Sequence, residues 1–126
     1  MKETRLGESE YRFACIVWEN EPLPSTQLVK LCAEQLGWKK STTYTVLKNL
    51  CGKGILCNQT ATVRALVPKE QVQRQASAQV VENTFGGSLP QFVAAFLGQK
   101  GISAEEAAEI EAMLAAYRAK GGGDGC

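Results

Sequence analysis

Ser41, Thr42, Tyr44, Thr45, Lys48 and Asn49 bring four hydroxyls, an amide and an ammonium into nine residues of the run WKKSTTYTVLKNLCGKGIL, 38–56. Groups of this kind hydrogen-bond to edges and anions, and no neighbouring base is there to turn one into a nucleophile. Ser41, Tyr44, Thr45 and Lys48 recur at helical spacing and so share one face. Thr43, Val46, Leu47 and Leu50 repeat the spacing on another, which reads as the stripe that fixes the helix to a core. Threonine and tyrosine are mediocre formers of an exposed helix, so contact with a partner explains the first face better than propensity does. Local roles stand beside that reading: Ser41 or Thr42 can cap the helix, and Tyr44 can pack on a neighbour.

Charge says what kind of partner. The chain of 126 residues has a net charge of +1, but the charge is divided. Residues 1–67 carry nine Lys/Arg against six Asp/Glu, and residues 68–126 carry five against seven. No acid occurs between Glu34 and Glu70, a gap that holds Lys39, Lys40, Lys48, Lys53, Arg64 and Lys69. An acid-free basic window around one amphipathic helix suits a polyanion, since a merely solvated face mixes both signs.

Other chemistries are poorly supplied. There is no histidine, which removes Ser-His-Asp and Cys-His catalysis, and no carboxylate or lysine constellation replaces them. An enzyme is not expected. Cys15, Cys32, Cys51, Cys57 and Cys126 are odd in number and lack zinc-site spacing, so they read as small buried hydrophobes; no metal or cofactor is expected. No apolar run approaches the ~20 residues of a membrane span, and MKETRLGESEY offers no apolar signal segment. A cytoplasmic protein without a membrane partner is the expectation.

The elements that must position these residues follow from periodicity. A first helix over about 9–20 carries Tyr11, Ala14, Val17 and Trp18, widened by Phe13, with Ser9 or Gly7 as cap and Leu6 as a staple. NEPLPS breaks it through Pro22 and Pro24. Ser25 is the expected cap of a second helix with Leu28, Leu31, Cys32 and Leu36, ended by Gly37. The third helix is the run quoted above, ending at Cys51-Gly52. The period then changes to two: Ile55 to Cys57 begin a strand, NQTA turns, and Thr62 to Val67 form a second strand before Pro68. Three helices and a hairpin in this order predict a winged helix-turn-helix over 1–68, with the hairpin as wing.

Residues 69–120 carry only helix signals. One helix spans about 69–85 with Val72, Ala76, Val80 and Thr84 on one side, stopped by Gly86-Gly87. Ser88 with Gln91 opens the next, which holds Leu89, Phe92, Val93, Phe96 and Leu97 and ends at Lys100-Gly101. Ser103 with Glu106 opens the last, stapled by Ile102, with Ala107, Ile110, Leu114 and Tyr117 spaced as a coiled-coil seam. Short helices with faces this apolar need a partner, and the simplest is a second copy. The fold class expected is mainly α with a small β-hairpin: a winged-helix domain, a helical dimerisation region and a flexible tail over 121–126. Val80, Phe85, Leu89, Phe92, Val93, Phe96, Leu97, Ile110, Leu114 and Tyr117 are the expected dimer contacts.

In a helix-turn-helix the second helix of the motif enters the major groove, where hydroxyls and amides meet base edges and cations meet phosphates. Ser41, Thr42, Tyr44, Thr45, Lys48 and Asn49 supply that inventory. Lys39 and Lys40 stand at the helix N-terminus, where backbone amides also favour phosphate. Lys53 would hold the opposite strand's backbone, and Arg64 is the wing's one cation.

The run from SEY (9–11) through the third helix to KGIL resembles the penicillinase repressor family, its copper-responsive members included. The resemblance rests on an SE-aromatic start, a Trp ending the first helix, a W-x-x-x-T-x-x-T-x-x-x-x-L recognition helix matched by Trp38, Thr42, Thr45 and Leu50, and Lys53-Gly54 leading into the wing. FGGSLPQFVAAFL resembles the family's dimerisation region. The resemblance implies a homodimeric transcriptional repressor on a palindromic double-stranded operator, controlling β-lactam-resistance genes, with derepression by a regulatory protease cutting within the dimerisation helices. Relatives are cut between Asn and Phe where this chain reads Ala95-Phe96. Its wing has one basic residue where relatives often have several. It also lacks the paired Cys-x-Cys motif of the copper-responsive members, so copper sensing is not expected. Two other functions fit the residues less well: a thiol- or metal-responsive regulator using Cys51, Cys57 or Cys126, and a winged-helix protein-interaction module.

Overall fold

The computed structural model describes residues 5–121; the expected tail beyond Gly121, with Cys126, lies outside them. These residues form two compact units, one ending at Val80 and the other beginning at Val81.

The first unit holds α1 (Glu8–Asn20), β1 (Leu23–Pro24), α2 (Ser25–Leu36), α3 (Lys40–Gly52), β2 (Leu56–Gln59), β3 (Thr62–Ala65) and the start of α4 (Lys69–Phe85). The winged-helix order expected from periodicity is present. Its core gathers Phe13, Ala14, Ile16 and Val17 from α1, Leu28 and Cys32 from α2, and Leu47 and Leu50 from α3, closed by Ile55, Leu56 and Val63 beside the wing. Gly7 takes the cap position of α1, and its amide donates to Glu10 Oε1 at 3.0 Å; glycine has no side chain to complete the reciprocal half. Trp38, at the turn between α2 and α3, stacks on Phe13 with ring centroids 5.7 Å apart, which seats the start of α3 against the core. Trp18 is half-buried, and its indole N–H donates to the Val67 carbonyl at 3.0 Å.

Two local readings are corrected. NEPLPS is more than a break: Leu23 and Pro24 pair with Val63 and Thr62, making the hairpin an antiparallel three-stranded sheet of order β1-β3-β2. A proline is tolerated there because β1 is an edge strand. Ser25 does not cap α2 from outside. It is the first helical residue, with Pro24 in the cap position, and only 5% of its surface is exposed. Gly37 ends α2 as expected, at φ 70°.

The hairpin turns through Thr60 and Ala61, at φ 54° and 61°, between the paired residues Gln59 and Thr62. Positive φ at both central residues is the type I′ geometry that matches the twist of two-residue hairpins. At the other end, Val72 is buried and Gln73 Nε2 donates to the Tyr11 hydroxyl at 3.2 Å, so the first turns of α4 pack with this unit.

The second unit comprises the end of α4, α5 (Leu89–Gln99) and α6 (Ala104–Ala119). The anticipated punctuation is in place. Gly86 and Gly87 adopt φ of 58° and 86° after α4, and the Gln91 amide donates to Ser88 Oγ at 3.2 Å. Ser103 and Glu106 cap α6 reciprocally at 3.0 and 3.1 Å. Phe85 meets Phe92 edge to face at 5.5 Å. No residue of α5 or α6 is buried.

Candidate nucleic-acid interface

Helix α3 separates its two faces cleanly. Thr43, Leu47 and Leu50 are at most 2% exposed and Val46 is half-buried, so the stripe read as core is core. Thr43 satisfies its hydroxyl within the helix by donating to the Lys39 carbonyl at 3.1 Å. On the opposite side Ser41, Thr42, Thr45, Lys48 and Asn49 are all exposed, as are Lys39 and Lys40 at the start. Lys39 occupies the cap position and no side chain caps the helix, so neither Ser41 nor Thr42 is spent as a cap. The first turn of α3 thus has no side-chain cap for its amides and carries two exposed lysines, a combination that favours an anion.

Two anticipated contact residues are engaged elsewhere. Lys53 donates to Glu10 Oε1 at 3.2 Å and to the Arg5 carbonyl at 3.1 Å, so an acid from α1 offsets one charge of the basic window. Tyr44 is half-buried against the core, and its hydroxyl donates to Ser25 Oγ at 3.2 Å. Helical spacing assigns Tyr44 a side, and position after the helix assigns Lys53 a place, but neither shows what lies across from the residue; for Tyr44 the packing alternative holds. In each case the residue opposite is more than eighteen positions away in sequence.

The wing stands beside this face. Arg64 is exposed on β3, opposite Cys57 on β2. Between α3 and the wing runs a groove of about 590 Å³ lined by Tyr44, Leu47, Lys48, Cys51, Leu56, Cys57, Asn58 and Leu66. Asn58 and Leu66 were not anticipated; Asn58 was read as turn, and half of the Leu66 surface is exposed on a residue that looked like strand interior. Cys51 and Cys57 are free and half-buried. Burial pushes the Cys51 thiol up, as does the nearby Cys57, while the Asn58 amide pulls the other way. Cys32 is buried and its thiol is raised by desolvation, with the neighbouring Thr43 hydroxyl pulling the other way. Among the described residues no group of three or more Cys, Asp or Glu side chains is placed to hold a metal ion. Nor is any described helix long and apolar enough to cross a membrane.

Val80, at the end of the first unit, and Leu89, Val93, Phe96, Leu97, Ile110, Leu114 and Tyr117 in the second are each 42–55% exposed. Phe85 and Phe92 shelter one another. Met113, 68% exposed, adds to this apolar surface and was not anticipated, because it lies off the seam of Ile110, Leu114 and Tyr117. A family model described as Penicillinase repressor matches residues 6–116. A protein of Latilactobacillus sakei, described as an uncharacterized 16.5 kDa protein in the ptsI 3′ region, is 27% identical over 115 residues, covering 88% of this chain and 79% of its own length.

Proposed function

We propose that this chain, which belongs to the penicillinase repressor family and is a transcriptional repressor of that kind, binds an inverted-repeat operator as a homodimer and reads it with α3. What supports this most is the division of α3: a buried stripe opposite an uncapped, acid-free face of hydroxyls, an amide and ammonium groups. Thr42, Thr45 and Asn49 reach base edges, with Ser41 and Lys48 at the rim of the groove. Lys39, Lys40 and the first amides of α3 hold a phosphate, and Arg64 on the wing holds another. Lys53 and Tyr44 act from behind this surface, the first pinning α3 to α1 through Glu10 and the second tying it to α2.

The exposed apolar residues of α5 and α6 meet their counterparts in a second copy, which sets two α3 helices against successive major grooves. Derepression by a protease would act near Ala95-Phe96. That bond lies inside α5, so cutting it requires the helix to open first. Genes of β-lactam resistance are the first regulon to test, and the cytoplasm is where such a repressor works. The reading is tested by a mobility shift on the DNA upstream of the chain's own gene at several salt concentrations. A shift that weakens steeply with salt is expected; no shift at any concentration rejects it.

One observation favours a second, compatible reading. Cys51 and Cys57 line the groove that also holds Lys48, so a thiol-reactive signal there would reach the DNA-facing surface. Affinity measured before and after treatment with a mild oxidant decides it, and an unchanged value removes it.

A further inference from the structure

Ser25 is bonded to both DNA-facing elements. Its amide donates to the carbonyl of Ala61, in the turn of the wing, at 2.9 Å. Its Oγ accepts from the hydroxyl of Tyr44 on α3 at 3.2 Å. It is buried, and it stands at the first helical position of α2, directly after the edge strand that pairs with β3. A serine needed only to start a helix would use its hydroxyl on its own helix's amides. Here the hydroxyl is turned to α3 instead.

We infer that Ser25, with Tyr44, is a positioning residue that sets the spacing between the recognition helix and the wing. The inference rests on the DNA reading proposed above and names the device behind its specificity. Base-edge contacts depend on the helix and the wing engaging together at fixed separation, whereas contacts to phosphate are sequence-independent and tolerate a small shift. Loosening this bond therefore costs discrimination before it costs affinity for DNA in general. Tyr44 acts without touching a base: its hydroxyl is directed into the protein.

The test uses the full chain, a duplex enriched by the wild-type chain from a randomised pool, and a scrambled duplex of the same composition. Ser25→Ala and Tyr44→Phe are each expected to weaken binding to the enriched duplex about five- to tenfold, the loss of one hydrogen bond. Binding to the scrambled duplex should stay within about twofold. The double variant should be no weaker than the poorer single, because both remove the same bond. Equal losses on the two duplexes, no loss on either, or additive losses would each overturn the inference. Hydrogen exchange in the free protein supplies a readout that needs no DNA: amides 62–65 of the wing should exchange about threefold faster in Tyr44→Phe. Unchanged exchange also overturns it. If the wild-type chain enriches no duplex, the DNA reading fails by itself, and the exchange rates alone decide whether Ser25 couples α3 to the wing.

Discussion

Thr45 and Lys39 would meet DNA through different chemistry, and substitution separates the two. Thr45→Ala should lower affinity for the operator by ~1–3 kcal/mol with little effect on random DNA, while Lys39→Ala should weaken both about equally. Anisotropy titrations on the two duplexes check this, and equal losses for Thr45→Ala would remove its base-reading role. Lys53 is the contrasting cation. Its partner Glu10 and its own side chain are 23% and 30% exposed, so Lys53→Ala should cost at most about 1 kcal/mol of stability. It should leave the salt dependence of DNA binding nearly unaltered, whereas Lys48→Ala should reduce the slope by about 1. Cys32 offers a test of the core. Desolvation raises its folded pKa, so below the unfolded value both states keep the proton and pH has no effect through this group. Above about pH 8.5 the unfolded chain ionises first, and stability falls as pH rises. The urea midpoint should therefore drop between about pH 8 and 10, and drop less in Cys32→Ala. At this scale residue type and charge sign were readable from sequence, which is why Thr45, Lys48 and Arg64 stand exposed as expected. Engagement was not: Glu10 across from Lys53 and Ser25 across from Tyr44 are tertiary facts.

Elements were legible where a period or a stop signal declared them. The stripe of Thr43, Leu47 and Leu50, the glycine ending α2 and the Ser103-Glu106 box all lie where spacing put them. What escaped is β1, two residues long inside a proline-marked break, whose pairing with β3 no local pattern could announce. The wing turn escaped in a different way. Type I′ turns favour Asn-Gly, and this chain places Thr60 and Ala61 in the left-handed region instead, where each pays about 1–2 kcal/mol of steric cost. Replacing them with the preferred pair, Thr60→Asn with Ala61→Gly, should stabilise the chain by about 1 kcal/mol or more. Urea denaturation followed by circular dichroism checks it; an unchanged or lower midpoint would mean the turn gains more from Thr60 and Ala61 than their backbone strain costs.

At the scale of the whole chain, the first unit contains every buried core residue among those described, through Val72, while α5 and α6 bury none. A chain ending at Val80 should therefore fold, keep α3 and the wing intact, and be monomeric by sedimentation. Cutting earlier, at Lys69, would strip Val72 and the Gln73 bond to Tyr11 from that core. In the proposed dimer the exposed apolar surface of α5 and α6 would account for the difference between the two lengths, because burying it against a second copy is the gain the short chain would lose. The most direct measurement is to select DNA from a randomised pool with the full chain and, in parallel, with the chain ending at Val80. The full chain should enrich an inverted repeat whose half-sites lie about 10–10.5 base pairs apart, centre to centre, or a multiple of that. The shorter chain should enrich a single half-site of the same sequence, more weakly. Enrichment of no sequence, or the same repeat at the same strength from both chains, would contradict a dimer that reads its operator through α3.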